Sequence, residues 1–292
     1  MSRPTNMAVH AALWLLCGCG STSEAPTPTA AAPTPTPVVT PPAIDPPSLA
    51  SIRADVTALS SDEMDGRRPG TEGGKRAVAY IIDRMRRIGL QPGAPGGGWT
   101  QVVPMRAVAT DADRARLELT HGGARSILRF GDDWVGSTYR AAGTHRYDAE
   151  LVFVGYGITA PEHDWDDYEG VDMAGKIALV LVGDPPLADA RFAGPALTYY
   201  GRWSYKLERA LAAGALGCLI VHESEPASYG WNVVRNSWSH ENFHVAEPGA
   251  ALPDALALQG WVTHEIADDV AREAGSSLSQ WHTRAIDPAF VA

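Results

Sequence analysis

Two histidines set four apart around a glutamate, His240-Glu241-Asn242-Phe243-His244, form the strongest local chemical pattern in the 292-residue sequence. On a helix this spacing puts both imidazoles on one face, where they can hold zinc while the glutamate serves as general base on a metal-bound water. Glu265, with twenty residues between it and His244, stands near the distance expected of a third ligand. The surroundings point the other way. Arg235 to Ser239 is polar and loop-like, and Pro248-Gly249 would end any helix soon after the motif. A single-zinc metalloprotease of the zincin type, with ligands His240, His244 and Glu265 and base Glu241, is therefore carried as the alternative reading.

Three other patterns fail on context. Gly155-Tyr156-Gly157-Ile158-Thr159-Ala160 matches a dinucleotide fingerprint, but Pro161 and an acidic loop stand where a helix N-terminus must face the pyrophosphate. Gly170 to Lys176 matches a phosphate loop, yet Ile177 lacks the hydroxyl that magnesium requires and opens a strand. Asp164, Asp166, Asp167 and Asp172 lack the glycine and terminal glutamate of a calcium loop, so turn and capping roles are expected.

Apolar residues make up 45% of the chain and charged residues 20%, enough to bury a core and to exclude global disorder. The formal charge of -10, with no basic run, speaks against a nucleic-acid partner. Met7 to Leu16 has the length of a signal h-region, and Leu16-Cys17-Gly18-Cys19 resembles the bacterial lipobox, with Cys17 a departure. Nine prolines between Pro26 and Pro47 then make an extended tether, able to span up to about 70 Å at ~3.1 Å per residue. Cys218 lies in an apolar run and reads as an inert core residue.

The folded part begins at Ser48. Leu49, Ile52, Val56 and Leu59 predict one amphipathic helix, and Ala77, Tyr80, Ile81, Met85 and Ile88 a second that stops at Gly89. Short strands follow at 117–120, 126–130, 151–154 and 177–182 and around Leu219, with helices at 205–213, 262–274 and 278–286. The fold class expected is mixed α/β: a helical lead-in, then a β-rich domain with flanking helices.

A more specific resemblance covers the chain from Ser48 onward, most weakly over 106–147. Leu59 to Thr71, Ile88 to Pro92 and Trp99 to Pro104 resemble the opening of bacterial di-zinc aminopeptidases related to vacuolar aminopeptidase Y. Val152 to Ile158, Asp166-Asp167-Tyr168, Gly175-Lys176, Asp184-Pro185-Pro186, Tyr199 to Trp203, Gly214-Ala215, Leu219 to Glu223 and Tyr229 to Val234 resemble the protease-associated domain inserted in those enzymes. The resemblance implies residues 1–18 as signal peptide, 19–47 as lipid-anchored tether, 48–104 as the N-terminal segment of a peptidase domain, 105–275 as the protease-associated domain and 276–292 as the start of the return to a catalytic domain. Trp231 and Trp238 become packing or surface-recognition aromatics, and the HExxH motif falls where the family has no metal role.

Two zinc ions are implied for the full-length family, held by a His-x-Asp, a bridging Asp, a Glu-Glu pair, a further acid and a final His. None of the nine histidines here is followed two positions later by Asp, and no two glutamates are adjacent. The expectation is therefore an N-terminal recognition or substrate-gating part, with no catalytic residue and no metal of its own. Its partners would be a peptide or protein substrate in the full-length enzyme and a lipid anchor in the membrane. The place expected is the bacterial cell envelope, the outer membrane where the cell has two, or secretion.

Lipidation is expected on Cys19, because Leu16 and Gly18 frame it and the tether follows. Intact-mass analysis of the native protein should give a lipid-modified N-terminus at Cys19, and Cys19→Ala should leave the membrane fraction. A mature N-terminus elsewhere overturns this.

Overall fold

The computed structural model describes residues 46–138, 143–189, 191–194, 196–245, 255–287 and 290–292. The signal segment, Cys17, Cys19, the tether up to residue 45 and the Pro248-Gly249 pair lie outside them. The fold is mixed α/β, as the sequence predicts, and it divides into two compact units between Gln91 and Pro92. Among the described residues no helix is long and apolar enough to cross a membrane.

In the first unit, helix α1 (Leu49–Leu59) starts where the Ser48 hydroxyl accepts from the Ser51 amide at 3.1 Å. Helix α2 (Glu72–Arg87) starts at Thr71, whose hydroxyl accepts from the Gly74 amide at 3.2 Å, and Gly89 ends it with φ 83°. A 3-10 turn, Asp62–Arg67, joins them. A Cβ on Gly73 would stand 2.0 Å from the Met64 carbonyl oxygen, so only glycine lets the turn lie on α2. Asp55 ties the helices by accepting from Tyr80 Oη at 2.7 Å and from Arg84 Nε at 3.1 Å. Little apolar surface is covered. No residue of α1 is buried, and Leu49 and Val56 are 74% and 60% exposed.

The second unit is organised by a five-stranded sheet. Its strands are β4 (Trp134–Ser137), β5 (Leu151–Phe153), β8 (Ile177–Leu181), β9 (Gly217–His222) and β11 (Leu258–Thr263), in the order β4-β11-β9-β8-β5. The last four are parallel, and β4 is antiparallel to β11. Side chains alternate across the sheet. Leu179, Leu181, Leu219, Val221 and Val262 enter one core, while Ala178, Val180, Cys218, Ile220 and Trp261 enter the other.

The second core is covered by α3 (Trp203–Ala212), through Leu207 and Ala210, and by α5 (Trp231–Trp238), through Val234. The first is covered by the hairpin β2 (Leu117–His121) and β3 (Ala124–Leu128), by α6 (His264–Glu273) and by α7 (Leu278–Ala285). Helix α7 is fastened by Trp281, which stacks on Phe153 of β5 with ring centroids 4.3 Å apart. The remaining elements are peripheral: the antiparallel pair β1 (Met105–Val108) and β10 (Asn242–Val245), the pair β6 (Thr159–Ala160) and β7 (Trp165–Asp166), and the short helix α4 (Ser224–Ala227).

Several boundaries differ from the sequence reading. The helix placed at 262–274 starts at His264, because Val262 and Thr263 finish β11 and the Thr263 hydroxyl caps α6 by accepting from Ile266 N at 3.3 Å. The stretch Arg235 to Trp238, expected as loop, is the end of α5. Helix α7 places Leu278, Trp281 and Ala285 in the first core.

Hydrogen exchange should separate the two units. Helix α1, which buries nothing, is expected to exchange fast, and α2 faster than β8 and β9. Protection of residues 72–87 equal to that of 177–181 in a demonstrated monomer overturns this.

Candidate functional site

The HExxH residues do not form a zinc-binding helix. Helix α5 ends at Trp238, before the motif begins, and Asn242 holds the exit turn by donating from Nδ2 to the carbonyls of Ser237 and His240. His240 and Glu241 are exposed in that turn, while His244 is on strand β10 opposite Arg106. Period-two backbone replaces the helical face that would align the imidazoles. Glu265 is exposed in the first turn of α6. Among the described residues no three His, Cys, Asp or Glu side chains are grouped to hold a metal ion. The zincin geometry is thus replaced by a helix, a turn and a strand.

Polar groups gather instead at the carboxyl ends of the parallel strands, the usual place for chemistry on an open α/β sheet. Glu223 follows β9 directly. One carboxylate oxygen lies 3.3 Å from His264 Nδ1, at the start of α6, and the other 2.9 Å from His282 Nε2, on α7. Tyr156, in the loop after β5, places its hydroxyl 3.5 Å from His282 Nδ1. Burial pushes the Tyr156 phenol well above its ordinary value, so it keeps its proton.

Beneath this edge is a second polar group. Lys206 of α3 is fully buried, donates to the Gly183 carbonyl at 3.0 Å and lies 5.8 Å from the centre of the Tyr156 ring. Burial pushes its ammonium down to about 7, against the pull of Asp167 and Asp184. Asp167 accepts from Ile158 N at 2.9 Å and from Trp165 Nε1 at 3.0 Å, and burial pushes its carboxyl up to about 6. Asp184 accepts from the amide and hydroxyl of Thr198. These contacts position loops. Cys218, as expected, is core: it is buried, and burial pushes its thiol up to about 12.

The edge cluster escaped the sequence reading because its members are far apart in the chain. The available signal was positional: His222-Glu223 directly follows the apolar run Leu219-Ile220-Val221. The arrangement can hold protons, position α6 and α7 and present polar groups. Its phenol is buried and protonated, and its carboxylate is engaged by two imidazoles.

No family model matches the chain, and no curated protein matches it. Among solved structures it is similar to a zinc aminopeptidase from Bacillus subtilis, BSAP, at 20% identity and a TM-score of 0.25. The match covers 57% of this chain and 31% of that one. A superposition this loose carries no argument about fold or site.

Burial alone would raise the Glu223 carboxyl, but His282 and then His264 more than reverse this and bring it below its ordinary 4.5. A carboxyl with a depressed folded value adds stability above its unfolded value and loses it as the pH falls through the folded one. Glu223→Gln should therefore cost roughly 1–3 kcal/mol at about pH 6, with the gap to the parent protein closing below about pH 4. Denaturant unfolding at both pH values checks this, and an equal gap at both overturns the assignment.

Proposed function

We propose that this chain is an exported, lipid-anchored protein of the zinc aminopeptidase type, and that its described residues serve peptide recognition or substrate gating and not bond cleavage. The observation that supports this best joins the resemblance to the fold. Val152 to Ile158 and Asp166 to Tyr168, two stretches that resemble the protease-associated domain, meet in one buried corner, where the Asp167 carboxylate receives the Ile158 amide and the Trp165 indole. Gly157 has φ 63°, and a Cβ there would lie 2.8 Å from the Val180 side chain and 3.2 Å from Tyr168 Oη. The glycine and the aspartate of the pattern are thus what this corner requires, whatever the overall superposition. The sequence has no His-x-Asp and no Glu-Glu pair, which supports a recognition role over cleavage by a di-zinc site of the family's kind.

The zincin alternative is not carried forward, since its motif is not helical. The two readings part on metal and activity. The purified chain is expected to hold well below one zinc per molecule after dialysis and to release no amino acid from aminoacyl or peptide substrates. One zinc per chain, lost in His240→Ala and His244→Ala and kept in an inactive Glu241→Gln protein, overturns the proposal.

A further inference from the structure

We infer that the α1–α2 hairpin docks on an anionic lipid surface, with one apolar face entering the headgroup region and a margin of cations meeting the lipid phosphates. The way the two helices are turned toward each other sets this up. Asp55 accepts from Tyr80 and Arg84, and the Glu63 carbonyl accepts from Arg76, so partner numbers fall along α2 as they rise along the first helix and the turn. The helices are antiparallel.

Those contacts mark the inner side of each helix. Counting about 100° per residue from them, Leu49, Ile52 and Val56 lie roughly a quarter-turn round α1, and Val78, Ile81 and Ile88 roughly a quarter-turn round α2 in the same sense. In an antiparallel pair, equal turns bring both stripes to one side. All six residues are exposed, so the hairpin shows a single apolar face to its surroundings.

Charge decides between occupants. Continuing round the helices past the apolar face come Arg53, Lys75 and Arg86, while Glu72 and Asp83 fall on the far side. Lys75 also meets Glu72, but that pair is exposed and weak. The acids of the joining turn, Asp62, Glu63 and Asp65, stand beside Arg67 and Arg68, and residues 48–91 together hold eight Lys and Arg against six Asp and Glu, a net of +2 in a chain of formal charge -10. An apolar centre with cationic margins suits the interface of an anionic bilayer, where Arg and Lys stems follow the apolar floor and their heads reach phosphate. A second copy would bring like-charged margins together. Position agrees with this, since Ser48 caps α1 directly after Pro46-Pro47, the end of the tether, and an anchor at Cys19 would hold the face near the bilayer at high effective concentration. The docking adds to the lipid-anchored reading and is measured without the anchor, so either can fail alone.

The test uses the chain from Cys19 onward with Cys19→Ser, so that no acyl group contributes, and vesicles of phosphatidylethanolamine with about a third phosphatidylglycerol. Cosedimentation should show binding that falls about tenfold or more in Leu49→Ser/Val56→Ser and about fivefold or more in Arg53→Gln/Arg86→Gln, with helix content by circular dichroism unchanged. Vesicles of phosphatidylcholine alone should bind about tenfold more weakly or less. A nitroxide label at Val56→Cys should be shielded from a water-soluble relaxation agent when anionic vesicles are added, and one at Asp83→Cys should stay accessible. No binding to anionic vesicles, equal binding to neutral ones, or equal shielding of the two labels overturns the proposal. So does self-association that is lost in Leu49→Ser/Val56→Ser and comes without vesicle binding, which assigns the face to a second copy.

Discussion

Strands β8 and β9 are apolar on both faces, and that single property dictates most of the second unit. Ile177 to Leu181 and Gly217 to His222 send side chains into two cores, so neither face of the sheet can be left to water. Each fully buried Leu, Ile or Val contributes on the order of 1.5–3 kcal/mol, and leaving one face bare would forfeit several of them. Helices α3 and α5 close one side. A hairpin and two helices close the other, and α7 reaches the edge strand by stacking Trp281 on Phe153.

The same sheet explains why polar groups collect at one edge. Parallel strands all end on the same side, so the residues that follow them, Tyr156, Asp184, Glu223 and His264, are brought together by direction alone. Lys206 is the costly member. A buried ammonium is tolerated only when its hydrogens are received, and here the Gly183 carbonyl, just past the end of β8, receives one. Burial weakens both Lys206 and Asp167 as ions, which shows that desolvation outweighs their mutual attraction. The contact fixes geometry: it ties α3 to the loop that leaves β8, while Asp167 ties the loop after β5 to Trp165.

What was legible in the sequence followed local rules. Ser48 marks the start of α1 and Gly89 the end of α2 because capping depends on neighbours within three residues. The runs around Leu179 and Leu219 announced buried strands, and the turn at Gly122-Gly123 announced the hairpin. Strand β11 was harder. Leu258 to Thr263 abuts α6 without a breaker, and Thr263 serves at once as the last strand residue and as the helix cap, so period two passes into period 3.6 with no punctuation. The β1–β10 pair was invisible because its register joins Met105 to Val245, 140 positions apart, and no local pattern encodes that pairing. The edge cluster was hidden for the same reason.

The HExxH stretch shows why residue types and spacing do not by themselves make a site. Five residues that would hold zinc on a helix are here divided between a turn and a strand, because Asn242 closes the turn on Ser237 and His240 and then starts pairing with Val108. Backbone hydrogen bonding to β1 decides the conformation, and the conformation decides which way each imidazole points. Glu223, His264 and His282 run the opposite course. They belong to no motif, stand 41 and 59 positions apart along the chain, and converge because β9, β11 and α7 are packed on one sheet. Function on this scaffold is therefore to be sought where strand direction and incomplete cover bring side chains together, and not where the sequence alone spells out a ligand set.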